Sequence, residues 1–235
     1  MMRLQKFLAH AGICSRRKAE GHILEGRVRL NGDVVTELGT QVVPGKDTVL
    51  FDGKTVKLPS PEQGHTYIAV NKPKGVVTSC SQKNTKVILD VVPMDKIGKR
   101  VYPVGRLDKD SIGLVLLTDN GDLHNRLSHP SHDHEKEYIV TTRHPIGDTA
   151  LTSMAEGMVI DGQKTRRARV ARVSENRFKI VLKQGLNRQI RKMVGKTGNK
   201  VDMLKRIRMA NINLGGLKSG EWRYLTRGEV KKLTQ

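Results

Sequence analysis

The chain has 235 residues, 37% of them hydrophobic and 28% charged, with a formal net charge of +20. That is enough apolar material for a real core, which excludes wholesale disorder, and the length suits one large domain or a mid-sized domain with a small appendage. No stretch approaches the roughly 18 apolar residues of a membrane span, the start MMRLQKF has no signal-peptide core, and Cys14 and Cys80 offer neither a disulfide framework nor a zinc site. The expectation is a soluble cytoplasmic protein.

The charge gathers at the two ends. Residues 163–235 hold 21 Lys/Arg against 4 Asp/Glu, and residues 1–30 hold 7 against 2, so the middle is close to neutral. Two basic ends around a neutral centre point to two phosphate-contacting surfaces flanking a working site. Charge that served solubility alone would intersperse its signs.

In chain order, Leu4, Phe7, Leu8 and Ala11 recur at helical spacing until Gly12 ends the run. Ser15 is placed to cap a second helix with Ala19, Ile23 and Leu24 inward, stopped at Gly26. Val28-Arg29-Leu30 then meets Asn31-Gly32, a two-residue hairpin turn, and Asp52-Gly53 marks another strand pair. The stretch RLQKFLAHAGICSRRKAEGHILEGRVRLNG resembles the S4 RNA-binding module, carried by its SRR at the second helix and its G-V-NG ending. That resemblance implies that Arg3, Lys6, Arg16, Arg17 and Lys18 grip structured RNA through its backbone. The residues alone also fit an amphipathic helix pair with a solvated basic face.

Leu58 to Gly64, with two prolines and no apolar periodicity, reads as a linker. The expected division is an S4-like domain over 1–58, a linker over 59–66 and a catalytic domain over 67–235. Within the last, strands are expected at Tyr67–Val70, Val76–Val77, Gly113–Thr118, Glu137–Thr141 and Phe178–Leu182. Helices are expected around Leu123 and Leu127, from a cap at Asp148 to Gly157, and over Asn187–Val194, with short strands after that. Strands outnumber helices and often follow one another directly, which predicts an α+β fold with a mixed, largely antiparallel sheet flanked by helices.

The chemistry concentrates at residues 105–118, GRLDKDSIGLVLLT. A carboxylate such as Asp108 serves as nucleophile, general base or metal ligand. Metal binding wants several oxygens and only Asp110 is near; a glycosidase wants a second carboxylate across the substrate, and nothing in a loop fixes Asp110 there. A single carboxylate kept ionised by an arginine remains, level with a plain turn-capping Asp. His129, His132, Asp133 and His134 form a tempting cluster, but Pro130 breaks the helix that a zinc pair at i, i+4 needs, so a polar loop near RNA is the expectation. No phosphate-cradling glycine loop is visible, and aromatics at 3% are too few for a single-strand stacking platform.

The motif GRLDKDSIGLVLLTDNG resembles the catalytic-loop signature of the pseudouridine synthases, in the branch with an N-terminal S4 module, the RsuA/RluB/RluF family. NKPKG at 71–75, HEKEYIV at 134–140 and QGLNRQIRKM at 184–193 carry the likeness along nearly the whole chain, and DHEKEY, QGLNRQIR and SGEWRYLT are most similar to its F-type members, which act on large-subunit (23S) rRNA. Ser111 stands where Thr is usual, keeping the hydroxyl. The resemblance implies an isomerase with no cofactor and no metal, acting on a flipped-out uridine in 23S rRNA, with a tRNA as a further substrate. It assigns Asp108 to the sugar, Tyr138 to the base and Arg191 to holding Asp108 ionised. Gly105, Arg106 and Leu107 beside the Asp, and Asn187, Arg188, Gln189 and Ile190 before the Arg, become RNA contacts. Leu114–Leu117 and Ile190 are expected to wall the site against water.

From residues alone, Tyr138 fits a core ring equally well, and helical spacing cannot single out Arg191 among Arg188 and Lys192. The alternative function is a non-catalytic RNA-binding or ribosome assembly protein. A DNA-binding regulator is disfavoured because the helix pair lacks a dimerisation element. A monomer without an obligate protein partner is the expectation.

Overall fold

The computed structural model describes residues 1–59, 64–128 and 133–234. The chain divides into two compact units, Met1–His65 and Thr66–Gln235.

The first unit contains β1 (Met2–Arg3), α1 (Leu4–His10), α2 (Arg16–Leu24), β2 (Val28–Leu30), β3 (Asp33–Val35), β4 (Gln41–Val42), β5 (Val49–Phe51) and β6 (Lys54–Val56). Its four-stranded sheet runs β3-β2-β5-β6, and β1 pairs with β4. Both expected hairpins form. Asn31 and Gly32 (φ 53° and 100°) and Asp52 and Gly53 (φ 48° and 75°) all take the left-handed conformation that a tight two-residue turn demands. The Ser15 hydroxyl accepts the Lys18 backbone N–H at 3.2 Å, capping α2 as expected. Leu4, Leu8, Ala19, Ile23, Val28 and Val49 make the core. Leu24 is a correction: it is 58% exposed, because Ile23 already fills the inward position and its neighbour lies about 100° round the helix.

The second unit contains β7 (Tyr67–Lys72), a 3-10 turn at Ile88–Val91, α3 (Met94–Ile97), β8 (Tyr102–Val104), β9 (Ile112–Thr118), α4 (Gly121–Ser128), β10 (Lys136–Thr142), α5 (Asp148–Glu156), β11 (Val159–Ile160), β12 (Gln163–Lys164), β13 (Arg169–Ser174), β14 (Arg177–Leu182), α6 (Gln189–Lys196), β15 (Val201–Met209), β16 (Ile212–Asn213), β17 (Trp222–Tyr224) and α7 (Arg227–Thr234). The main sheet runs β13-β14-β10-β15-β9-β7-β17, with β16 on β15 and β8 on β9. Among the named strands of the described residues, only β15 and β9 pair in parallel. The fold is α+β with a mixed, largely antiparallel sheet, as expected.

Side chains alternate across β9, and this separates two cores. Val115 and Leu117 enter the face packed by Leu151 and Met154 of α5 and by Ile190, Met193 and Val194 of α6. Leu114 and Leu116 enter the opposite face with Leu123 and Leu127 of α4 and Leu233 of α7. Helix α7 opens with a reciprocal cap: Thr226 Oγ1 accepts the Glu229 N–H and Glu229 Oε2 accepts the Thr226 N–H.

Three further expectations differ from the fold. Val76–Val77 forms no strand, only an isolated bridge from Val77 to Val87, because the chain turns immediately to anchor the neighbouring loop. Gly147, not Asp148, precedes α5; the Asp148 carboxylate is drawn instead to Arg172 at 2.6 Å. The basic C-terminal segment holds nine-residue β15 in the middle of the sheet rather than only short strands. Of the linker, residues 60–63 lie outside the described residues, as do His129, Pro130 and His132 of the histidine-rich stretch.

Candidate active site

The loop between β8 and β9 is built from its anchors. Gly105, at φ 66°, turns the chain out of β8. The Thr78 hydroxyl donates to the Leu107 carbonyl at 2.9 Å and accepts the Leu107 N–H at 3.2 Å. The Lys109 carbonyl accepts the Gly75 N–H at 2.8 Å and a longer bond from Lys72 Nζ at 3.3 Å. The Ser111 N–H closes a turn onto the Asp108 carbonyl at 3.1 Å. These bonds tie down the backbone on both sides of Asp108 and leave its half-buried carboxylate to side chains alone.

Helix α6 supplies those side chains. Arg188, held at φ 50° just before the helix, and Arg191, one turn on, converge on both loop carboxylates. Arg191 Nε lies 3.7 Å from Asp108 Oδ2 and its Nη2 lies 3.2 Å from Asp110 Oδ2. Arg188 Nη1 lies 3.7 Å from Asp108 Oδ2 and 3.4 Å from Asp110 Oδ1. Arg191 Nη2 also donates to the Ser111 hydroxyl at 3.1 Å, which is the use of the hydroxyl at this position. Burial pushes the Asp110 carboxyl up, but the charges of Arg191 and Arg188 outweigh it and hold it below its ordinary value. Asp110 is thus placed beside Asp108 by shared arginines, a juxtaposition the loop sequence does not reveal.

A cleft of about 330 Å³ opens over Asp108. Tyr138 of β10 lines it, as do Gly105, Arg106 and Leu107 from the loop and Arg188, Gln189 and Ile190 from α6. Asn187 borders the adjoining groove, which Arg106, Leu107 and Asp108 also line. Arg191 stands behind the carboxylates rather than in the cleft wall. The apolar wall is Leu107, Leu182, Leu186, Ile190 and Leu204. Leu114–Leu117 do not contribute, a further correction, because that run is spent on the two cores. Arg3, Arg16, Arg17 and Lys18 are exposed on the first unit and Lys6 is half-buried on α1.

Two cations in this region, Lys72 within the NKPKG motif and Arg206 outside every motif, are given no role by the sequence. Across the sheet, Lys72 pairs with Gly113, Gly113 with Arg206, and Arg206 with Tyr138. Cross-strand partners share a face, so these residues form one row. A side chain at Gly113 would collide with the Arg206 backbone, so only glycine lets the strands close here. Lys72 is fully buried and donates to the carbonyls of Val76 at 2.7 Å and Pro73 at 3.0 Å. Burial lowers its ammonium to about 8, against the opposing pull of Asp110 and Asp108. Arg206 is 1% exposed. Each is a cation at an inward position of a strand, the signal that a strict count of apolar alternation would have flagged. Among the described residues, no group of three or more His, Cys, Asp or Glu is placed to hold a metal ion.

An α+β unit with a carboxylate on an anchored loop, arginines behind it and a tyrosine-lined cleft above it, joined to a basic helix–hairpin unit, has the parts of an enzyme that works on a nucleic acid. Comparison with known proteins gives the particular kind. Residues 66–196 match the RNA pseudouridylate synthase family and residues 2–47 match the S4 domain. The chain is 43% identical over 229 residues to the dual-specificity RNA pseudouridine synthase RluF of Escherichia coli strain K12, covering 97% of this chain and 77% of that one. It is 39% identical over 240 residues to the ribosomal large subunit pseudouridine synthase B of Bacillus subtilis strain 168, covering 99% and 96%. A crystal structure of a pseudouridylate synthase superposes with a TM-score of 0.72 at 30% identity, over 99% of this chain and all of that one. The chain belongs to the RNA pseudouridine synthases, isomerases acting on RNA, in the S4-bearing branch that includes RluF and RluB.

Proposed function

We propose that the protein isomerises a uridine of large-subunit ribosomal RNA, with Asp108 as the carboxylate at the sugar, Tyr138 against the base and Arg191 holding Asp108 in place. The observation that carries this reading is the Asp108 carboxylate, facing a tyrosine-lined cleft with two arginines within 4 Å and its loop backbone anchored on both sides. In the reaction the C1′–N1 bond breaks and its electron pair leaves with the uracil, as Asp108 attacks C1′ or deprotonates the ribose. The base turns and C5 bonds to C1′, which breaks the Asp108–C1′ bond or, on the other route, is accompanied by return of the proton to the ribose; C5 then loses its proton and N1 gains one. Nothing is oxidised or hydrolysed, so the site must hold the base and keep water out, which the leucine-rich wall favours.

The target base must leave its stack to reach the cleft, and exposed Arg106 at the rim is the residue to fill the gap. Arg3, Lys6, Arg16, Arg17 and Lys18, with Asn187 and Arg188, contact RNA phosphates and fix the register. The names of both relatives support an RNA substrate, and that of the Bacillus subtilis enzyme supports the large subunit; the dual specificity in the other name supports a second RNA, for which we propose a tRNA. We also propose that the protein acts as a monomer in the cytoplasm; the two free cysteines suit the reducing conditions there.

Asp108→Asn preserves shape and removes the charge. Pseudouridine mapping in ribosomal RNA should find the wild-type site unmodified with this variant, while filter binding of the same RNA stays within about threefold. Near-normal turnover by Asp108→Asn would remove Asp108 from the chemistry, and absence of pseudouridine formation by the wild type would be the outcome that favours the RNA-binding alternative.

A further inference from the structure

We propose that Arg206 is a base-contacting residue, whose free guanidinium nitrogen donates a hydrogen bond to a carbonyl oxygen of the extruded uracil beside Tyr138. The proposal rests on the pseudouridine synthase reading of the cleft and adds to it the group that recognises the base.

Arg206 lies in the middle of β15, in the centre of the sheet, and is 1% exposed. Its Nε donates to the Leu114 carbonyl at 2.7 Å and its Nη1 reaches the Arg106 carbonyl at 3.5 Å, the long limit of a hydrogen bond. Its Nη2 is buried and has no hydrogen-bond partner among the described residues, and none of the ion pairs there gives Arg206 a carboxylate. An unpaired charge in a protein interior is strongly disfavoured unless something compensates it. Arg206 lines the cleft together with Asp108, Tyr138 and Lys136, so the compensating group can come from the ligand.

Geometry selects which part of the ligand. Tyr138 and Arg206 are direct cross-strand partners, which places their backbones about 4.5–5.5 Å apart with both side chains on one face. A flat ring lying against Tyr138 therefore brings an exocyclic oxygen over the neighbouring strand, to the guanidinium. A backbone phosphate belongs elsewhere, at the rim where Arg106 and Arg188 are exposed to water. The pairing also suits the reaction. When the C1′–N1 bond breaks, the departing electron pair places negative charge on the uracil oxygens, and a fixed donor in a dry site is worth most where charge develops. Lys136, two residues before Tyr138 on the same strand and lining the same cleft, adds to the positive potential there.

The test pairs a protein change with a substrate change. The probe is a substrate RNA whose mapped target uridine is replaced by 2-thiouridine or 4-thiouridine, each weakening one carbonyl acceptor. For wild type, one of the two thio substitutions should slow single-turnover rearrangement about 10-fold. Arg206→Gln should slow the unmodified substrate by about 10- to 100-fold, leave its dissociation constant unchanged and remove the extra penalty of that thio substitution. Arg206→Lys, which retains the cation, should recover part of the rate; thermal unfolding of both variants reports whether the strand still folds. Additive thio and Arg206→Gln effects in folded protein would overturn the proposal, as would a loss confined to RNA affinity and its salt dependence, which would make Arg206 a phosphate contact. Failure of wild type to convert the unmodified RNA would instead overturn the pseudouridine synthase reading beneath it.

Discussion

Two ion networks sit on neighbouring elements of the sheet and differ in kind. On the outer part of β10, Arg208 of β15 reaches Glu137 at 2.8 Å and Glu135 at 3.0 Å, Arg169 of β13 reaches Glu135 at 2.8 Å, and Lys179 of β14 reaches Glu137 at 3.3 Å. Hydrogen bonds from Arg169 and Arg208 hold Glu135 below its ordinary value, and hydrogen bonds from Arg208 and Lys179 do the same for Glu137. At the cleft, Asp108 faces Arg188 and Arg191 only at 3.7 Å, and Arg191 Nε and Arg206 Nη2 are buried without hydrogen bonds among the described residues. The first network is saturated and ties four β-strands together. The second is held open, with donors aimed and unspent. On the proposed reading, in which charge moves between sugar and base, the open network is where substrate would complete the bonding.

The largest expected difference between the two comes from Arg191. Arg191→Gln removes the group that spans Asp108, Asp110 and the Ser111 hydroxyl at once, so the loop carboxylate loses one of its two counter-charges and the contact that fixes its position. A displacement of about 1 Å at such a site costs about 100-fold in rate. Single-turnover pseudouridine formation should fall by that factor while RNA affinity holds within about threefold. A loss carried wholly by affinity would move Arg191 from the catalytic side of the comparison to the RNA-binding side.

The open network was half legible in the sequence. Asp108, Tyr138 and Arg191 stand in local words with a characteristic order, and the hairpin dipeptides and the Ser15 cap are readable because their physics is confined to two to four residues. Lys72 and Arg206 are different. Their meaning comes from β-register, which brings residues 72, 113, 206 and 138 into one row across four strands. No local pattern encodes that row, though Gly113 in a run of branched apolar residues hints at a close approach. The same non-locality explains Leu114–Leu117: an apolar run reads as a wall, and only the sheet shows that both of its faces are occupied by core.

In the saturated network, Glu137→Gln should act on stability and spare chemistry. It weakens the pairing of Arg208 and Lys179 across three strands, at a cost of about 1–2 kcal/mol for a partly buried charged hydrogen bond. The denaturant midpoint should fall accordingly, with turnover per folded molecule within about threefold of wild type. A large fall in turnover without loss of stability would show that Glu137 also serves the cleft, one residue from Tyr138, and would blur the line between the two networks.

The smallest expected effect lies in a third cluster of the saturated kind, remote in sequence from the cleft loop. Arg223 of β17 grips Glu229 with two bonds of 2.7 Å, and Glu229 also accepts the Thr226 N–H that caps α7. The Arg223 hydrogen bond outweighs the opposing effect of burial and takes the Glu229 carboxyl from 4.5 down to about 2. A carboxyl depressed on folding stabilises the native state above its unfolded value and loses that contribution as pH falls through the folded one. The window is therefore pH 4.5 to about 2, and because the pair is partly solvated the contribution is about 0.5–1 kcal/mol. Glu229→Gln keeps the capping geometry and cannot titrate, so it should be less stable than wild type at pH 7 and should converge on it in Tm as pH falls through that window. Parallel Tm curves over the window would show that the bidentate pair contributes nothing beyond the cap, and that tight geometry alone does not mark a stabilising network.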